Sequence, residues 1–153
     1  MSKRSARHAT FTIERRFAVP PARVFAAYAD KKLKVRWFGG PDEWEKSNLK
    51  LDFRVGGRES MSGGPQGGPV HSYNALYQDI VPDERIVMTY EMHLDDTRIS
   101  VSLGTTEFRP QGKGTRLVYT EQAVFLDDFE DGGGREEGTR ALFDNLAAFL
   151  KAA

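Results

Sequence analysis

Cysteine is absent from the 153 residues of this chain. Its absence excludes disulfides, thiolate metal sites, iron–sulfur clusters and a cysteine nucleophile. No apolar run approaches the ~20 residues that a membrane span needs, so none is predicted. The chain also has no excess of positive or negative charge, because 22 basic residues balance 22 acidic ones. A net charge of zero gives no whole-molecule attraction to nucleic acid, and the sequence predicts no nucleic-acid partner.

Metal-binding motifs are also missing. The three histidines, His8, His71 and His93, form neither an HExxH motif nor a pair at ligand spacing. The sequence therefore predicts no metal and indicates no cofactor. Residues 1–10 are polar and lack the apolar segment of a signal peptide. They predict a flexible tail ahead of one domain over residues 11–153, and the expected location is the cytoplasm.

Apolar residues that alternate with a period of two predict strands through most of the chain. Short turns between these segments favour an antiparallel sheet. One long extended segment is expected over residues 44–55, and short helices are expected over about 21–30 and 33–38. From residue 135 the period becomes that of an amphipathic helix of roughly 17 residues. The expected fold class is α+β, with this helix covering one face of the sheet.

Five segments carry a family resemblance. In chain order they are residues 16–25 (RFAVPPARVF), Trp37 with Gly39 and Pro41, residues 52–58 (DFRVGGR), residues 77–90 (YQDIVPDERIVMTY) and residues 114–117 (GTRL). Together they resemble the activator-of-Hsp90-ATPase-homologue-1-like (AHSA1-like) family of the SRPBCC superfamily. The resemblance implies the START or Bet v 1-like helix-grip fold. In that fold a curved antiparallel sheet of about six to seven strands wraps around a long C-terminal helix, and two short helices follow strand 1. The sequence departs from the family at Thr139, where a Trp often follows the glycine.

A helix-grip fold leaves a space between helix and sheet that side chains either fill as a core or line as a pocket. Methionine suits a wall that adapts to shape, and tyrosine adds a hydroxyl to an apolar surface. The leading hypothesis is a binding module for a small hydrophobic or amphipathic molecule. The predicted ligand-binding residues are Trp37, Tyr73, Tyr77, Met88, Tyr90, Val101, Leu103, Leu117, Tyr119, Phe143 and Leu146.

Glu121 is the main candidate for chemistry, because it falls in phase with the inward residues Leu117 and Tyr119. A buried carboxyl can act as a general acid or anchor a ligand. It can equally have a structural role. The carboxylate would then lie near the solvent-exposed end of the strand or pair with an arginine, for which Arg15 is one candidate. His71 follows a glycine-rich loop and could reach the mouth of a pocket. His93 could pair with Glu91 on the same face of its strand.

Two other functions stay open. One is a cyclase, hydrolase or isomerase in which Glu121, His71 and Tyr90 act as acid–base groups. The other is a protein-interaction module that contacts a chaperone, which only the family resemblance implies. Dimerisation through an exposed sheet edge is not decided by the sequence.

Overall fold

The computed structural model of this chain describes residues 4–130 and 133–152. Its helices are α1 (Pro21–Ala29), α2 (Lys31–Lys34) and α3 (Gly133–Ala152). Its strands are β1 (Ala6–Phe17), β2 (Glu45–Lys46), β3 (Lys50–Leu51), β4 (Arg58–Gly64), β5 (His71–Val81), β6 (Arg85–Leu94), β7 (Thr97–Gln111) and β8 (Gly114–Leu126). They form one antiparallel sheet in the order β1-β8-β7-β6-β5-β4-β2, and β3 also pairs with β4. The α+β helix-grip architecture is therefore confirmed.

The N-terminal segment belongs to the sheet. Residues 6–10 pair with residues 122–126 of β8, so strand replaces the tail predicted there. The Asp127 N–H donates to the Ser5 carbonyl, and the Ser5 N–H donates to Asp127 Oδ1, at 2.9 Å each. Backbone pairing at a sheet edge needs no buried side chains, which is why the polar sequence gave no strand signal. Residues 1–3 lie outside the described residues.

The segment between α2 and β4 is less regular than predicted. The long strand expected over residues 44–55 contains only the two-residue strands β2 and β3. Its start is set by Trp44, whose ring lies against Gly40. A Cβ on Gly40 would come within 2.6 Å of Trp44 Cε3, so the close approach requires glycine. This packing brings Gly40 and Trp44 together at the start of the segment.

Strand β7 presents the opposite face to the one that alternation predicts. Met92 pairs with Ser100 and His93 with Arg98, so Ile99 is the extra residue of a bulge. Ile99 and Ser100 are both buried. Beyond the bulge the phase is reversed, and the inward residues are Ser102, Gly104, Thr106 and Phe108.

The prediction that Val101 and Leu103 face inward is consequently wrong. Both alternate with buried residues on the outer face of the sheet, and Val101 is 39% exposed. A bulge of one residue moves every later side chain to the other face, and the local sequence does not announce it.

Helix α3 spans 20 residues, or about 30 Å, across the concave face of the sheet. Its buried residues are Phe143, Leu146 and Leu150. Leu146 packs with Leu117 of β8 in the core, and both are completely buried. This part of the helix–sheet interface is filled by side chains, whereas the part nearer the N-terminus of α3 is not. Among the described helices, none is long and apolar enough to cross a membrane.

Candidate ligand-binding site

A cavity of about 400 Å³ lies between the N-terminal half of α3 and the inner face of the sheet. Strands β4 to β8 supply one wall, and residues 34–46 supply another. Exposed Gly40, Lys46 and Gly138 mark its opening to solvent. The volume is within the range of small-molecule sites. All five tyrosines of the chain line it: Tyr28, Tyr73, Tyr77, Tyr90 and Tyr119.

Most of the predicted ligand-binding residues lie in this wall. Those that do are Trp37, Tyr73, Tyr77, Met88, Tyr90, Tyr119 and Phe143. Leu117 and Leu146 belong to the packed core instead, where they position the helix against the sheet. Val101 and Leu103 lie on the outer face, as described above. Thr139 lines the cavity, and its hydroxyl donates to the Arg135 carbonyl at 2.8 Å.

Glu121 is inside, as its phase predicts, and it is completely buried. The Tyr90 hydroxyl lies 2.8 Å from both of its carboxylate oxygens, and the Tyr119 hydroxyl donates to Oε1 at 2.7 Å. Ser102 donates to Oε2 at 3.0 Å, and Arg135 Nη1 lies 3.3 Å from the same oxygen. The carboxylate is therefore compensated in charge and surrounded by donors.

Arg135, in the first turn of α3, closes this cluster. Its Nη2 donates to Glu130 Oε1 at 2.7 Å and to Ser100 Oγ at 2.8 Å. Its guanidinium carbon lies 5.2 Å from the ring centroid of Phe125. Burial alone would lower the pKa of Arg135, but the surrounding acidic groups outweigh it and raise that pKa.

The arginine proposed from the sequence as a partner of Glu121 is elsewhere. Arg15 Nη1 donates to Asp144 Oδ1 of α3 at 2.7 Å, so Arg15, one candidate for this role, is not the arginine that pairs with Glu121. In-phase residues on neighbouring strands share a face, but Arg15 pairs with Leu117 rather than with Glu121 in the β1–β8 register. Leu117 lies four residues before Glu121 on β8, so the Arg15 guanidinium reaches Asp144 of α3 instead of Glu121.

A second buried ion pair was not predicted. Lys34 Nζ of α2 lies 2.9 Å from Oε1 and 2.7 Å from Oε2 of Glu59 on β4. The Tyr77 hydroxyl donates to Glu59 Oε1, and Lys34 Nζ also lies 4.6 Å from the ring centroid of Phe38. Both charged side chains are almost completely buried. A sequence signal existed for the carboxylate, since Glu59 is in phase with Met61 on its strand, whereas a lysine in the run KKLK gives none.

Tyr28 differs from the other tyrosines of the wall. It is 8% exposed, and its hydroxyl has no hydrogen-bond partner among the described residues. Burial raises its pKa above the usual value. Burial is also the main cause of the raised pKa values of Tyr77 and Tyr119, and the proximity of Tyr28 adds to both. Tyr28 lines the cavity, and its ring packs edge-on against Trp37 and Phe108, with centroids 4.9 Å and 5.3 Å away.

His71 lines the cavity, and its ring stacks on Trp44 with centroids 4.8 Å apart. None of the hydrogen bonds formed within residues 4–130 and 133–152 joins it to Glu121. His93 is outside the cavity, with Nε2 3.8 Å from Glu91 Oε1. In the described part of the chain, no three His, Cys, Asp or Glu side chains are grouped to hold a metal ion.

The arrangement of the sheet, the long helix and the cavity identifies the class of fold. A curved antiparallel sheet that grips a long C-terminal helix, with a cavity between them, is the helix-grip architecture of the SRPBCC superfamily. The family follows from the sequence profile of the "Activator of Hsp90 ATPase homolog 1-like protein" family, which matches residues 18–151. The chain belongs to this family.

Solved structures resemble the chain over nearly its whole length. An uncharacterized protein from Rhizobium leguminosarum is 46% identical, with a TM-score of 0.94 and coverage of 99% of both chains. The Mll3558 protein from Rhizobium loti is 48% identical, with a TM-score of 0.88 over 95% of this chain and 99% of that one. An AHSA1-like protein from Aeromonas hydrophila shares the fold at 17% identity, with a TM-score of 0.71 over 94% and 93% of the two chains. No curated protein matches the chain.

Proposed function

We propose that this protein binds a small, mostly apolar molecule in the cavity between α3 and the sheet. The observation that carries the proposal is the contrast within one interface. Around Leu117 and Leu146 the helix and sheet are packed without exposure, whereas toward Arg135 they enclose about 400 Å³. Protein interiors leave few voids larger than a water molecule, so a space of this size supports a ligand-holding role.

The chemistry of the wall supports the same reading. Besides the five tyrosines, the wall contains Trp37, Phe38, Trp44 and Phe143. Met61, Met88 and Met92 also line it, and unbranched thioether side chains adapt readily to the shape of a ligand. An aromatic wall with a few placed polar groups is typical of sites for small amphipathic molecules.

The enzyme alternative has weaker support. A general acid or base needs a free proton or lone pair toward the substrate. Glu121 already accepts from Tyr90, Tyr119, Ser102 and Arg135, so a substrate would have to displace one of these donors. The His71 ring is stacked on Trp44. We therefore favour binding over turnover.

Filling the cavity from α3 tests the proposal. Gly138 lines the cavity, and a Cβ there would meet no atom within 4 Å. Gly138→Phe should therefore place a ring at the entrance with no clash at its Cβ, whereas Gly138→Ala adds only one methyl group and equally removes a helical glycine. The ligand is the neutral fluorescent compound N-phenyl-1-naphthylamine, whose emission rises in apolar surroundings.

Wild type and Gly138→Ala should bind this compound at one site with similar affinity. Gly138→Phe should weaken binding by about tenfold or more, because its ring takes the volume that the ligand needs. Circular dichroism checks that all three proteins are folded. Equal binding by wild type and Gly138→Phe, or no binding by folded wild type, would overturn the proposal.

A further inference from the structure

We infer that the molecule held in this cavity is electrically neutral and directs one hydrogen-bonding atom at the Tyr28 hydroxyl. This inference rests on the proposed function and specifies the class of ligand. It follows from two separate observations, the pairing of the charges in the wall and the buried Tyr28 hydroxyl, which has no hydrogen-bond partner among the described residues.

The cations of the inner wall are already paired. Lys34 Nζ lies within 2.9 Å of both carboxylate oxygens of Glu59. Arg135 places Nη1 3.3 Å from Glu121 and Nη2 2.7 Å from Glu130. No uncompensated cation is left at the inner end, among the described residues, to hold a carboxylate, sulfate or phosphate.

A charged ligand would be disfavoured in either sign. An anion would have to leave water and lie near Glu121 without a free counter-ion, and burial of an unpaired charge is costly. A cation would compete with Arg135 for Glu121, and both Arg135 and Lys34 would repel it. Lys46 and Glu130 carry the charges nearest the mouth, where Lys46 is exposed and its charge is screened by solvent.

The tyrosine hydroxyls of the wall contact other protein groups, with one exception among the described residues. Tyr77 donates to Glu59, and Tyr90 and Tyr119 donate to Glu121. Tyr73 has longer contacts, 3.5 Å to Glu59 Oε1 and 3.4 Å to Met88 Sδ. Tyr28 has no partner among the described residues although it is only 8% exposed. Buried hydroxyls are nearly always hydrogen-bonded, so this one is suited to a polar atom of the ligand.

Four compounds with one ring system and different head groups test the inference. They are naphthalene, 2-naphthol, 2-naphthoate and 2-naphthylmethylammonium, used as competitors of N-phenyl-1-naphthylamine at neutral pH. We expect 2-naphthol to bind tightest, with a preference of about tenfold over the two ions and a smaller preference over naphthalene.

Two variants locate the hydrogen bond. Tyr28→Phe should abolish the preference for 2-naphthol over naphthalene without lowering protein stability, because no protein hydrogen bond is lost. Tyr77→Phe is the matched control. Its hydroxyl is committed to Glu59, which does not line the cavity, so this variant should lower stability but keep the preference.

The outcomes separate the two proposals. If the reporter binds but the ions compete as well as 2-naphthol, or the naphthalene series does not compete, the inference is overturned and the binding function stands. If Tyr28→Phe keeps the preference, the assignment of the hydrogen bond to Tyr28 is wrong. If neither the reporter nor any competitor binds folded protein, both the inference and the proposed function fall.

Discussion

Raising the pH above about 10 is expected to unfold this protein cooperatively, because of the tyrosines around the cavity. Burial raises the pKa of all five above their ordinary value near 10. The folded state therefore keeps them protonated at a pH where the unfolded chain releases its protons. Their contribution to stability is complete below pH 10 and is lost as the pH rises beyond it.

The magnitude follows from the count and from the unfolded-state pKa. One pH unit above that pKa, each tyrosine favours the unfolded state by about 1.4 kcal/mol. Five tyrosines together then contribute about 7 kcal/mol, which is comparable with the whole free energy of unfolding of a typical domain, about 5–15 kcal/mol. Most of the stability should disappear between about pH 10 and pH 11.

Urea unfolding followed by circular dichroism at several pH values measures this loss. Absorbance at about 295 nm, where tyrosinate absorbs, should rise only together with the loss of the dichroism signal. Tyr28→Phe is the matched variant, because it removes one of the five titrating groups and no protein hydrogen bond. It should reduce the slope of unfolding free energy against pH by about one fifth. Tyrosinate absorbance near pH 10 in a protein with native dichroism would refute the reasoning.

Two further predictions concern the buried pair and the helix. Lys34→Met should lower the free energy of unfolding by about 3–5 kcal/mol, because Glu59 is left buried without its counter-ion; adding Glu59→Gln should recover part of that loss in urea titrations, and no recovery would contradict the role of the charge. Gly138→Ala should raise the free energy of unfolding by up to about 1 kcal/mol, since the added methyl group meets no atom within 4 Å in a helix interior; a lower melting temperature would contradict this.

The face of most strands could be predicted from the sequence, because their alternation is uninterrupted. Met88 and Tyr90 on β6 and Tyr119 and Glu121 on β8 all line the cavity, as their phase requires. The exception is β7, where the bulge at Ile99 reverses the phase. The inward serines that result, Ser100 and Ser102, bind Arg135 and Glu121. That reversal depends on partners distant in the sequence, so alternation within the strand could not predict it.

The buried charges were harder to predict than the apolar wall. Lys34 lies in a short helix rich in lysine, which is typical of a solvated surface. It is buried only because α2 packs over the end of the sheet that contains Glu59. Arg135 follows an acidic segment and lies in the first turn of α3, so its sequence context favoured a solvent-exposed side chain as well. In both cases burial depends on tertiary placement, which periodicity within one element does not report.

Binding of a small molecule between α3 and the sheet is the function proposed for this protein. The most direct test is methyl NMR of Met61, Met88 and Met92, whose side chains line that cavity, during titration with N-phenyl-1-naphthylamine. We expect all three methyl signals to shift on binding and to show contacts to the ligand, and we expect Gly138→Phe to suppress both effects. Methyl signals that stay unmoved while the compound binds, or that shift equally in Gly138→Phe, would contradict it.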